Sequence, residues 1–165
     1  MALLADGYTT TIDIPSDDDG AFSFTLSDCL PSDLVIMEQP AGETFSGWIP
    51  WTGKADGTGV VKYPATMCAN NDGCVYGSSP GPTGYINLFH VIAGGVTKAF
   101  WYPSSIVYPT AELARAQFGV RTISGHTSYV FKIIDQEWDD NSLGTGVSVK
   151  ITVRRQNTIM FSCNS

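Results

Sequence analysis

Hydrophobic and polar positions alternate with a period of two along much of the chain, the pattern of strands with one buried face. Residues 8–14 place Tyr8, Ile12 and Ile14 on one parity and Thr9, Thr11 and Asp13 on the other. Residues 21–27 repeat this, with Phe22, Phe24 and Leu26 against Ser23, Thr25 and Ser27. The run Ser16-Asp17-Asp18-Asp19-Gly20 between them reads as a solvated turn, which makes the two strands a predicted hairpin. Residues 34–37 are continuously apolar, as in a strand covered on both faces. Further strands are predicted at 45–51, 60–63, 85–93, 96–102, 129–134 and 147–153, with a last edge strand at 159–163. Gly94-Gly95 is a two-residue turn that joins 85–93 to 96–102. In 147–153, Val147, Val149, Ile151 and Val153 face one way and Ser148, Lys150 and Thr152 the other. The single helical signal covers 110–118, opened by Thr110 as a cap and stopped by Gly119. Short strands separated by turn signals predict an all-β fold, an antiparallel β-sandwich or jelly roll.

Composition supports that picture. A chain of 165 residues suits one domain spanning 1–165 with one sizeable core. Hydrophobic residues make up 43% and charged residues 15%, the latter well below the roughly 25% of ordinary domains, which argues against disorder. The formal net charge is −7, and the nine Lys and Arg residues are scattered, so no cationic face exists to bind nucleic acid or an anionic membrane. No apolar run approaches the ~20 residues of a membrane span. The first six residues, Met1 to Asp6, lack a basic segment and a long apolar stretch, so no signal peptide is expected and the compartment stays open.

Cys68 and Cys74 bracket a five-residue loop, a spacing that suits a disulfide, while Cys29 and Cys163 read as buried thiols with a mutual bridge as the alternative. His90 reads as a half-buried or rim histidine, and His126 lies in a turn. No serine has the Gly-x-Ser-x-Gly elbow and no carboxylate pair stands out for glycoside hydrolysis, so a non-catalytic protein is expected.

The segment with chemical content is Asp135-Gln136-Glu137-Trp138-Asp139-Asp140-Asn141-Ser142-Leu143-Gly144-Thr145-Gly146, set between two predicted strands. Four carboxylates and the Asn141 amide lie within seven residues, a density that suits a hard cation. Calcium accepts 6–8 oxygens in a flexible shell and fits better than Mg²⁺; a solvated acidic loop is the plainer reading of the same composition.

The order of residues here resembles the soluble calcium-dependent galactose-binding lectins of bacteria (LecA-like). The shared features are Asp135, then Trp138, then Asp140-Asn141-Ser142, then the strand Val147-Ser148-Val149-Lys150-Ile151. Upstream, Gly47-Trp48-Ile49-Pro50-Trp51-Thr52-Gly53 resembles another family segment, and Cys68 and Cys74 fall near a close cysteine pair of the family. The resemblance implies a sandwich with one calcium per subunit. Side chains of Asp135, Asp140 and Asn141 and carbonyls near Trp51 and Glu137 would hold it, with Trp51, Asp140 and Asn141 also facing the sugar. Asp72, Asn70 or Asn71 would meet other sugar hydroxyls, since residues 62–67 contain neither the His nor the Gln of the family. Trp48 and Trp138 are expected in the core. The implied partner is a galactoside-type glycan bound by a homo-oligomer, because single sugar sites are weak and multivalency supplies avidity. The alternative is a non-catalytic structural subunit of a virion, fibre or pilus.

Overall fold

The computed structural model describes residues 2–50, 84–100, 107–135 and 141–156. The order of elements is β1 (Thr9–Pro15), β2 (Phe24–Leu26), β3 (Leu34–Glu38), β4 (Phe89–Ala93), β5 (Val96–Phe100), α1 (Ala111–Ala116), β6 (Val120–Ile123), β7 (Tyr129–Lys132) and β8 (Gly146–Arg154). They form two four-stranded antiparallel sheets, β1-β8-β3-β6 and β2-β7-β4-β5. The fold is therefore all-β, an antiparallel sandwich.

The pairing is nested. β1 pairs with β8, β2 with β7, β3 with β6 and β4 with β5. Two more ladders, β3 with β8 and β4 with β7, join these pairs into the two sheets. The core lies between the sheets and forms one cluster. Ile12, Ile14, Val35, Met37 and the alternate residues Val147, Val149, Ile151 and Val153 of β8 fill it from one side. Leu26, Phe89, Val91, Tyr129 and Phe131 fill it from the other. Phe89 stacks on Phe100 at 5.6 Å and lies 5.5 Å from Phe118, offset arrangements that aromatic pairs favour.

Alternation located most strands but not all their partners. Residues 8–14 and 21–27 do not form a hairpin, because β1 and β2 enter different sheets. The eight residues between them carry the chain across. Asp18 bends this connection by accepting from the N–H groups of Gly20 and Phe22, and Asp19 and Gly20 take positive φ. Phe45 to Pro50 contains a single bridge, Trp48 to Ile86, instead of a strand. The strands predicted at 60–63 and 159–163 lie outside the described residues, as do Cys68, Cys74 and Cys163. Cys29 is a free, buried thiol whose pKa is raised chiefly by burial. β3 buries Val35 and Met37 fully while Leu34, Ile36 and Glu38 are half-exposed, so one face is covered completely rather than both. β6 was not predicted; it is an edge strand whose apolar residues, Val120 and Ile123, lie on opposite parities. Helix α1 begins as expected, with the Thr110 hydroxyl accepting from the Leu113 N–H, and Gly119 turns the chain at φ +69°. Among the described residues no helix is long and apolar enough to cross a membrane.

Two features close the structure. A Cβ at Gly146 would lie 2.9 Å from the Pro15 Cα and closer still to the Ile14 carbonyl oxygen, so only glycine fits where β8 begins. At the other end of β8, Arg155 donates from Nε and Nη2 to the two carboxylate oxygens of Asp33, at 3.0 and 2.9 Å. Nη2 also reaches the Leu4 carbonyl, and the Arg155 N–H donates to Asp6. The Asp33 side chain is fully buried, so this fork supplies the charge that its desolvated carboxylate needs.

Candidate functional site

The acidic loop leaves β7 through Ile133 and Ile134 and returns at Asn141 to feed β8. Its two described ends are both buried: Asp135 is 8% exposed and Asn141 2%. Asp140 and Glu137 lie outside the described residues, as do Trp51, Asp72 and Asn70. The structure thus describes Asp135 and Asn141 alone among the predicted ligands, and among the described residues no group of three or more His, Cys, Asp or Glu side chains is clustered for a metal.

His90 holds the exit from β7. It is fully buried, not on a rim as its position in the sequence suggested, because β4 is an inner strand covered on both faces at that point. Burial, with the nearby charge of Lys132, pushes its pKa down to about 3. The neutral ring accepts at Nδ1 from the Ile134 N–H at 3.1 Å, one residue before Asp135. This arrangement predicts acid sensitivity. Below about 6.5 the unfolded chain takes up a proton that the folded chain refuses until about pH 3, so stability is lost as pH falls through that window. The slope is about 1 kcal/mol per pH unit. Urea denaturation midpoints measured against pH will show it, and His90→Asn, which keeps an acceptor but cannot charge, will remove it.

The returning end of the loop is held by two segments distant in sequence. Ser142 N–H donates to the Ile49 carbonyl and the Ile49 N–H donates to Ser142 Oγ, both at 2.9 Å. This places the Gly47-Trp48-Ile49 stretch beside the acidic loop. Trp48 fixes that stretch in turn. It is fully buried, as expected, exchanges backbone hydrogen bonds with Ile86 and donates from Nε1 to the Leu88 carbonyl at 3.0 Å. Phe45 is tied to β8 through the Ser148 hydroxyl, which itself donates to Asp13 at 2.6 Å.

The second segment is the end of β1. Asn141 Nδ2 donates to the Ser16 carbonyl at 2.8 Å, and Asp17 accepts from the Gly144 N–H at 2.8 Å. Asn141 Oδ1 is buried and has no hydrogen-bond partner among the described residues. A buried amide oxygen left in this state costs about 1–3 kcal/mol. It is also a neutral oxygen of the kind that a hard cation accepts. The roles of Ser16, Asp17 and His90 are not announced by any motif.

No family model, curated protein or solved structure matches the chain. The site therefore rests on its own geometry and on the residue order of the loop.

Proposed function

We propose that the protein is a calcium-dependent carbohydrate-binding lectin that takes galactose or a related sugar through vicinal hydroxyls. The observation that carries this reading is Asn141: its Nδ2 is anchored, while its buried Oδ1 has no partner among the described residues and sits at the end of a loop rich in carboxylates. Asp135 and Asp140 bring two negative charges to offset the ion, and Asn141 adds a neutral oxygen. Carbonyls near Trp51 and Glu137 complete the protein's share. Calcium, when bound, supplies open positions for two sugar hydroxyls. Trp51 offers an aromatic face for the C–H side of the ring, and Asp72 or Asn70 pairs with the remaining hydroxyls. No bond is broken, so the site needs no general acid or base. Several copies of the chain would supply avidity.

Calorimetry with Ca²⁺ and then with galactosides tests the reading. At a calcium concentration of one hundred times Kd, the wild type will gain about 2.7 kcal/mol of stability, read as a rise in melting temperature. Asn141→Ala and Asp140→Ala will lose most of that gain, and galactoside binding will disappear in EGTA. No calcium heat in the wild type, and sugar binding indifferent to Asp140→Ala, would sink the proposal.

The nested strand pairing favours a second reading. Among the described strands β1 pairs with β8, β2 with β7, β3 with β6 and β4 with β5, an order that a wrapped antiparallel ribbon of the jelly-roll kind would give, and such ribbons also build shell-forming subunits. A structural subunit would show a large regular assembly in light scattering and bind neither calcium nor glycans.

A further inference from the structure

The return of the acidic loop is braced by three hydroxyl groups, those of Ser16, Ser142 and Thr145. Ser16 is fully buried. Its N–H and its Oγ both donate to the Thr145 carbonyl at 2.9 Å, and its Oγ lies 3.2 Å from Thr145 Oγ1. Thr145 Oγ1 donates to the Ser142 carbonyl at 3.0 Å and also contacts Ser142 Oγ, the group that receives the Ile49 N–H. The three hydroxyls of Ser16, Ser142 and Thr145 thus join the end of β1, the Ile49 backbone and the start of β8 into one network. At its centre stands the Ser16 carbonyl, the acceptor for Asn141 Nδ2.

An asparagine amide has two ends of nearly equal size and opposite polarity. A half-turn about its last bond would present NH₂ to a cation instead of oxygen. The Ser16 carbonyl forbids that half-turn, because two carbonyl oxygens would then face each other. The position of that carbonyl is in turn set by Thr145. We infer that the Ser16–Ser142–Thr145 hydroxyl network is the positioning device of the calcium site, selecting the orientation of Asn141 in which Oδ1 is offered to the ion. The inference rests on the calcium reading above and adds to it residues that touch neither ion nor sugar. Groups that orient metal ligands from behind typically change affinity 10–100-fold when removed.

Thr145 offers a paired test. Thr145→Val keeps the shape and removes the hydroxyl; Thr145→Ser keeps the hydroxyl. Calcium affinity by calorimetry is expected to fall roughly 10–100-fold in Thr145→Val and to stay within about threefold of wild type in Thr145→Ser. Stoichiometry should remain that of the wild type. Melting in EGTA separates a positioning role from a merely structural one, which would lower the melting temperature of the ion-free protein and leave affinity alone. Ser16→Ala, which removes the shared Ser16 Oγ–Thr145 Oγ1 contact and the bond from Ser16 Oγ to the Thr145 carbonyl, replaces Thr145→Val should that variant not fold. Wild-type affinity in Thr145→Val or Ser16→Ala, or equal losses in Thr145→Val and Thr145→Ser, overturns the inference while leaving the calcium site standing. Absence of calcium binding in the wild type overturns both.

Discussion

Arg155→Met will lower the melting temperature by roughly 10 °C or more, because it leaves the fully buried Asp33 carboxylate without its cation. The Leu30 N–H, which donates to Asp33 at 2.9 Å, remains but cannot replace a charge. Asp33→Asn will be milder, since the charge and the need for its partner vanish together and Arg155, 28% exposed, can turn to water. The pair also responds to acid. Its hydrogen bonds from Arg155 hold the Asp33 carboxyl below the usual carboxylate range. With the folded value depressed, the contribution is complete above about pH 4 and is lost as pH falls through the folded value. Thermal melts of wild type and Arg155→Met will therefore converge in strong acid and diverge near neutrality.

Trp48→Ala is the second large effect, about 3–5 kcal/mol from the cavity and lost contacts of a fully buried indole. Nε1 also gives up its bond to the Leu88 carbonyl, which then stays buried and unpaired by that donor. A functional loss should accompany the stability loss. Ile49, the next residue, exchanges two hydrogen bonds with Ser142, and slack in Trp48 passes directly to the end of the acidic loop. Urea denaturation gives the first quantity. Calcium affinity at a temperature where the variant is still folded gives the second, and Trp48→Phe should recover most of both.

Strands readable from the chain include those with an apolar face that the core covers, such as Ile12 and Ile14 in β1 and Tyr129 and Phe131 in β7. β8 is the clearest case, with Val147, Val149, Ile151 and Val153 all inside. Alternation reports which face is buried but says nothing of the neighbour, and so β1 and β2 were assigned to each other although each pairs with a strand more than a hundred residues away. β6 escaped because an exposed edge strand needs no hydrophobic face. His90 was misplaced because a polar residue on a doubly covered strand carries no signature of its depth. The order of residues in one loop singles out Asp135 and Asn141, and the structure buries both. Ser16 and Thr145 are not singled out in this way. Hydroxyl residues are common in turns, and their meaning here arises from a contact spanning 129 positions.

The nested pairing has a consequence for how the molecule comes into being. β8 lies between β1 and β3, yet among the described strands it is the last in the chain, and Thr9 must find Thr152. Until β8 emerges, β1 has no partner strand and is not joined to β3. The sheet that holds β1 and β3 therefore closes only after residues 146–154 have been made, and its most distant contacts bear the largest closure entropy. Folding should be slow for a chain of this size, in the millisecond-to-second range of β-rich domains. The braces around Asn141 join the end of β1 to the start of β8, so the ligand geometry they set arises late, when the first and last strands have met.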